Sequence, residues 1–267
     1  KEKSDQAAID VFGMNLRQIL LEAPLGSKKI LAIDPGFRSG CKVVCLDARG
    51  NLIDHFVIFP LEPVLEKYKS AEKLLSSLKV NDISDIAIGD GTGGRELGVW
   101  LLEILDGKNI NVHVVSESGA SIYSASELAG SEFPDLDLTF RGSISIGRRL
   151  MDPLSELIKI DPKSIGVGQY QHDVNQKLLK DRLDQEIVSC VNAVGVQVNT
   201  ASAQLLSHVS GIGLTLAKSI VDYRDKNLEF KTKSQFLNVP RFGQKAFEQS
   251  AGFLRIRNGT HPLDNTG

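Results

Sequence analysis

Cysteine is scarce in this chain of 267 residues: Cys41, Cys45 and Cys190 form no C-x-x-C spacing and leave an odd number. Neither a disulfide framework nor a structural zinc site can be built from that set. The expected compartment is therefore reducing, cytoplasmic or nuclear. Long apolar runs are also missing. No stretch approaches the roughly 18 consecutive apolar residues of a membrane span, which removes the membrane from the expected partners. There is no basic-then-apolar leader and no heptad or collagen period, and 42% hydrophobic residues are too many for a disordered chain. The five histidines, His55, His113, His172, His208 and His261, are isolated and share no ligand spacing, so no metal cluster or histidine base is expected. Structural hydrogen bonding in a connector is the reading for His172.

What is present is enough chain for two domains at roughly 100 to 200 residues each. The net charge of −2 hides an asymmetry. Residues 1–140 carry 14 Lys+Arg against 21 Asp+Glu, and residues 141–267 carry 17 against 12. A polyanionic partner would meet the second half first, although solvated surface alone also produces such imbalances.

Apolar periodicity organises the first half. Residues 7–21 have helical spacing. Residues 28–34, 41–47 and 52–59 read as three strands, the last two joined by the turn-rich Ala48-Arg49-Gly50-Asn51. Residues 62–78 and 96–105 read as amphipathic helices alternating with strands at 85–89 and 111–116, an order that demands parallel neighbours in one sheet. Helices are expected at 121–131 and from about 142 to 159. Strand signals stop there. Residues 161–175 lack periodicity and read as a connector, and 176–193 as a long helix opening an all-α domain. The divisions are thus 1–26 as an N-terminal helical segment, 27–160, 161–175, 176–258 and a tail at 259–267. The start without Met, inside a helical pattern, and the end after Pro262-Leu263-Asp264 suggest a piece of a longer chain.

Within Val209-Ser210-Gly211-Ile212-Gly213-Leu214 a Gly-hydrophobic-Gly turn joins two helices. Glycines permit positive φ and close backbone approach, so N–H groups at the second helix's start can face a phosphate, where the helix dipole also favours negative charge. The pattern recurs thirty residues later in Val239-Pro240-Arg241-Phe242-Gly243-Gln244, with Ala246 answering Ala217 after a one-residue shift. This resembles a tandem helix-hairpin-helix module of the kind in ComEA-type DNA-uptake proteins. Arg241 stands where a first glycine is usual, and its guanidinium could bind phosphate directly. The resemblance makes Gly211, Gly213, Lys218, Arg241, Gly243 and Lys245 the candidate nucleic-acid contacts. A packing module without such contact is the alternative.

The three-strand meander, whose first strand ends in Asp34-Pro35-Gly36, resembles the ribonuclease-H-like fold in its YqgF and RuvC branches. That fold's chemistry uses several carboxylates converging on two divalent metals about 3.5 to 4 Å apart, and Mg²⁺ suits oxygen ligands. Asp34 matches the first carboxylate. Glu117, in Ser116-Glu117-Ser118-Gly119-Ala120-Ser121, matches the acidic residue of the YqgF pattern Asp-Glu-Arg-x-Thr-Thr. The third position falls in Arg141-Gly142-Ser143, where a cation and a glycine stand instead. Asp90, in Gly89-Asp90-Gly91-Thr92-Gly93-Gly94, is a further candidate; that loop lacks the Lys-Ser/Thr of a P-loop. The expectation is a degenerate nuclease fold without catalytic residues or cofactor, where Asp34 and Glu117 hold at most one Mg²⁺ weakly and their repulsion is relieved by a proton, that cation or a basic neighbour such as Arg141.

Finally, Ile33-Asp34-Pro35-Gly36-Phe37-Arg38, Ser124-Ala125-Ser126-Glu127-Leu128-Ala129, 161–176 and Ala251-Gly252-Phe253-Leu254-Arg255 together resemble the Tex family of transcription accessory proteins. The resemblance spans essentially the whole chain. It implies a ribonuclease-H-like α/β domain with a mixed five-stranded sheet, followed by an all-α tandem helix-hairpin-helix domain, in a nucleic-acid-binding scaffold that contacts RNA, DNA or both through the backbone. Two further readings are open: a metal-dependent nuclease or resolvase, and a protein-interaction platform that engages the transcription or translation machinery.

Overall fold

Five apolar runs pair into one sheet. In the computed structural model, which describes residues 2–227, 229–257 and 259–266, helix α1 (Glu2–Leu20) precedes strands β1 (Ile30–Asp34), β2 (Cys41–Leu46) and β3 (Leu52–Ile58). Then come α2 (Lys67–Asn81), β4 (Asp85–Gly89), α3 (Gly94–Ile104) and β5 (Asn111–Val115). The order across the sheet is β3-β2-β1-β4-β5. The β1–β2 and β2–β3 pairs are antiparallel, and β1–β4 and β4–β5 are parallel. The mixed five-stranded sheet of the expected fold class is there.

Side chains alternate between faces along a strand. On one face Leu31, Ile33, Cys41, Val43 and Cys45 meet Leu74 and Leu78 of α2 and Leu97, Trp100 and Leu101 of α3. The other face is covered by the third of three helices that follow β5: α4 (Ala120–Ser124), α5 (Glu127–Glu132) and α6 (Leu138–Met151). There Ile30, Ala32, Val44 and Leu46 pack with Ile144, Ile146 and Met151. Burial on both faces is why β1, β2 and β4 read as continuous apolar runs. Gly147 permits the close crossing, since a Cβ there would stand 2.8 Å from Leu46 Cδ1 and 2.9 Å from Ala32 Cβ.

Several helices begin or end where local chemistry overrides the apolar period. The pattern that starts at Glu62 becomes helical only at Lys67, because Leu65 lies at φ 52°. The expected 121–131 helix is broken by Ser126, which is extended and accepts the Ala129 N–H as the cap of α5. The expected 142–159 helix starts earlier, capped by Asp137, and stops at Met151 before α7 (Pro153–Leu157), which opens on a proline whose missing N–H is one of the unpaired helix-start donors anyway.

The chain groups into two units differently from the sequence divisions. Ala23–Glu156 is one; the residues before it join those after it in the other. The expected 1–26 segment does not stand alone, because α1 packs along α8 (Gln176–Val194). Its stripe of Ile9, Phe12, Leu16 and Leu20 is buried there, as an amphipathic helix requires. Arg17 and Arg182 both bind the carboxylate of Glu186, at 2.9 and 2.6 Å. The aperiodic 161–175 stretch is built into the same unit: Gln171 is buried, accepts the Val167 N–H and donates to Lys163 O, and Asn15 of α1 donates to Val167 O. The expected boundary at 258 falls outside the described residues. On these bounds Ala23–Glu156 carries 14 Lys+Arg against 19 Asp+Glu and the remainder 17 against 14, so the charge asymmetry survives the regrouping.

In the helical unit, α8 leads to β6 (Val196–Gln197), α9 (Ala203–Ser207), α10 (Leu214–Asn227), a 3₁₀ turn at Lys233–Asn238, α11 (Gln244–Ser250) and β7 (Leu254–Arg255). The two-residue parallel pairing of β6 with β7 is a small departure from all-α. Phe230, Phe236 and Phe242 are buried in a row, with ring centroids 5.1 and 5.7 Å apart.

Candidate functional site

Two turns thirty residues apart have the same backbone. In the first, the Ile212 N–H bonds to Val209 O at 3.0 Å and the Ala217 N–H to Gly213 O at 2.9 Å. In the second, Phe242 bonds to Val239 O at 3.0 Å and Phe247 to Gly243 O at 3.1 Å. Ala217 therefore corresponds to Phe247, and the one-residue shift onto Ala246 disappears. Gly211 has φ 81° and Arg241 φ 70°. Arg241 thus adopts the left-handed conformation of the glycine it replaces, which costs an L residue about 1–2 kcal/mol.

The glycines divide by role. A Cβ on Gly211 would come within 2.7 Å of Gln249 Cβ, because this turn is packed on α11. A Cβ on Gly213 or Gly243 would meet nothing within 4 Å. Those two positions leave open backbone at the starts of α10 and α11, and Lys218, Arg241 and Lys245 are exposed nearby in sequence. The lysines are not equivalent, for Lys218 follows Gly213 by five residues whereas Lys245 follows Gly243 by two.

In the α/β unit the sheet's alternation puts Asp34 and Lys42, direct partners across β1 and β2, on the face covered by α6. Both line a cavity of about 270 Å³ with Glu117, Ser121, Ser124, Thr139 and Gly142. Gly142 leaves room for the aspartate, since its Cβ would lie 3.2 Å from Asp34 Oδ2. Lys42 is 9% exposed, and its ammonium donates to the carbonyls of Ser39 and Gly40. Burial first, then the Glu117 carboxylate, push the Asp34 carboxyl up to about 6, with Lys42 opposing. Glu117 is also raised, by burial and then by Asp90, against the Gly91 N–H and Arg149.

Asp90 does not converge as a third ligand. It is exposed, and its Oδ1 accepts the Glu117 N–H at 3.0 Å. In the glycine loop a Cβ on Gly91 would overlap the Glu117 carboxylate, whereas one on Gly94 would collide with Gly89 O. Asp137 is spent as the α6 cap. Arg141, expected to offset the carboxylates, turns to Phe133 O at 3.0 Å and Ser124 O at 3.5 Å. The cations that do act on the pair are Lys42 and Arg149, the latter buried and donating to Ser116 O and Ser118 O. Sequence reasoning missed both, although counting back from the β1–β2 turn would have set Lys42 opposite Asp34.

These donors do not fit a two-metal centre. Asp34 has the buried Lys42 ammonium near it and Glu117 the buried Arg149 guanidinium, a glycine stands at the third position, and among the described residues no three His, Cys, Asp or Glu side chains are grouped to hold a metal ion. His113 is engaged with Asp85 at 2.9 Å, at the strand ends opposite the cavity. His172 is exposed. The three cysteines are buried and free, and among the described residues no helix is long and apolar enough to cross a membrane.

Residues 28–151 match the family model of the Tex protein YqgF-like domain, and residues 191–255 that of the helix-hairpin-helix motif. The chain is 53% identical to Protein tex of Bordetella pertussis over 99% of its own length and 34% of that protein's. It is 52% identical to Transcriptional accessory protein Tex of Neisseria gonorrhoeae, over 99% and 35%, and 39% identical to human S1 RNA-binding domain-containing protein 1, over 95% and 26%. It thus spans about a third of the length of the two bacterial relatives. With a ribonuclease-H-like sheet in the first matched segment and a doubled glycine hairpin in the second, the chain belongs to the Tex family.

Proposed function

We propose that the chain is a nucleic-acid-binding scaffold of a transcription accessory protein, acting in transcription or RNA metabolism, and that its ribonuclease-H-like domain does not cut. The observation that carries this reading is the repeated hairpin. Gly213 and Gly243 leave unobstructed backbone at two helix starts, and Lys218, Arg241 and Lys245 supply exposed positive charge beside them. Backbone N–H groups there would take phosphate oxygens, helped by the helix dipole, and the cations would add a salt-dependent term. Such contacts carry no base information, so binding is expected to be indifferent to sequence. The names of the relatives, a transcriptional accessory protein and a protein with an S1 RNA-binding domain, agree with a role on nucleic acid.

The donor set of the cavity supports the reading that the domain does not cut. A carboxylate pair with a fixed lysine cannot form the two-metal clamp that activates water and holds the leaving oxygen. The test incubates the chain with labelled duplex, RNA–DNA hybrid and four-way-junction substrates in Mg²⁺ or Mn²⁺. Shifted but intact substrates are expected. Metal-dependent cleavage that Asp34→Asn abolishes would overturn the scaffold reading in favour of a nuclease.

A further inference from the structure

We infer that the Lys42 ammonium is the resident cation of the Asp34 cleft, a tethered charge standing in for a divalent ion and closing the site to one. Strand register is the first support. Lys42 is the direct cross-strand partner of Asp34, on the same face of the sheet and in the same cavity. Its burial is the second. An ammonium taken out of water is costly unless oxygen atoms replace its hydration, and here Ser39 O and Gly40 O, from the turn joining the two strands, accept two of its three donors. The site therefore treats the lysine as a bound cation, with carbonyl ligands and a carboxylate neighbour. The Ser143 hydroxyl, on α6, binds the Lys42 carbonyl at 2.9 Å and fixes the strand from which the side chain projects.

Charge balance is the third support. Lys42 acts on Asp34, and Arg149, which Glu156 shares, acts on Glu117 and Asp90, so each carboxylate of the cleft already has a fixed positive charge near it. A divalent ion would have to settle against a fixed ammonium, with Gly142 offering it no carboxylate. Such like-charge crowding opposes binding, most strongly at the buried end of the cleft where Lys42 lies.

This inference rests on the reading of the domain as non-cleaving, and metal binding separates the two. In the native chain, excess Mn²⁺ should leave the amide signals of Gly91, Glu117 and Gly142 unbroadened in a ¹⁵N NMR titration. Lys42→Met should make those signals broaden, with Mn²⁺ affinity at least about tenfold above native, equivalent to about 1.4 kcal/mol. Adding Asp34→Asn should abolish that gain. Lys42→Gln, which keeps an N–H donor for the turn carbonyls, serves if the methionine variant does not fold. Broadening at these amides in the native chain overturns the inference whatever the variants do, and so does a folded Lys42 variant that binds Mn²⁺ no better than native. Mn²⁺ bound without cleavage removes this inference alone; cleavage removes the scaffold reading with it.

Discussion

Replacing Asp34 by asparagine should stabilise the protein at neutral pH. The side chain keeps its shape and loses its charge. Burial and then Glu117 raise the Asp34 carboxyl from its usual 3.8 to about 6, and Lys42, the smallest of the three influences, opposes them. A carboxyl raised on folding contributes stability that is complete below about pH 4 and is lost as the pH climbs through about 6. At about 1.4 kcal/mol per pH unit the loss by pH 8 is about 3 kcal/mol. Partial exposure of Asp34 lets solvent screen some of this, leaving about 1–3 kcal/mol. Asp34→Asn escapes the penalty, so its melting temperature above pH 7 should exceed native by a few degrees, at about 2–4 °C per kcal/mol. The difference should narrow through pH 6 and vanish near pH 4. Urea melts of both proteins across pH 4 to 8 read it directly, provided their m-values agree. A variant less stable than native at pH 8, or a gain that ignores pH, would refute the reasoning.

Other expectations concern the glycines and the hairpin arginine. Gly91→Ala puts a methyl against the Glu117 carboxylate, the end of a half-buried side chain that can turn aside, so it should cost less than about 1 kcal/mol in a urea melt. Gly211→Ala, at φ 81° and against Gln249, should cost about 1 kcal/mol or more, whereas Gly213→Ala should alter stability by less than about 0.5 kcal/mol while weakening nucleic-acid binding in a gel-shift titration. Equal stability losses at Gly211 and Gly213 would contradict the division between a packing glycine and an open one. Arg241→Gly relieves a left-handed arginine and should raise stability by up to about 1 kcal/mol while lowering affinity for nucleic acid; a gain in both would remove Arg241 from the binding surface.

The sheet was legible because strands buried on both faces announce themselves as apolar runs, and the two crossover helices fix the parallel pairings of β1, β4 and β5. The thirty-residue hairpin repeat was legible too, since Gly213 and Gly243 keep their spacing from a buried apolar residue on the N-terminal side. What could not be read were partners distant in sequence. The apolar stripe of α1 shows that the helix must bury a face and does not say that α8 receives it. Arg141 looked like the counter-charge because it adjoins Gly142 in sequence, yet helical geometry points it at Phe133 O, and the nearby ammonium comes from Lys42 across the hairpin. The bond from the Glu117 backbone N–H to Asp90, 27 residues away, is likewise set by the fold and has no signal in the sequence.

The central claim is that backbone phosphates are held by the hairpin pair. Its most direct test is the dissociation constant of the chain for single- and double-stranded RNA and DNA at several salt concentrations, measured for native protein and for the double variant Lys218→Glu/Lys245→Glu. The account predicts a linear fall of log affinity with log salt in the native chain. In the double variant, every sequence should weaken about equally, and the slope should flatten by about 2 for two lost phosphate contacts. Binding that ignores salt, or a double variant with native affinity and slope, would contradict it.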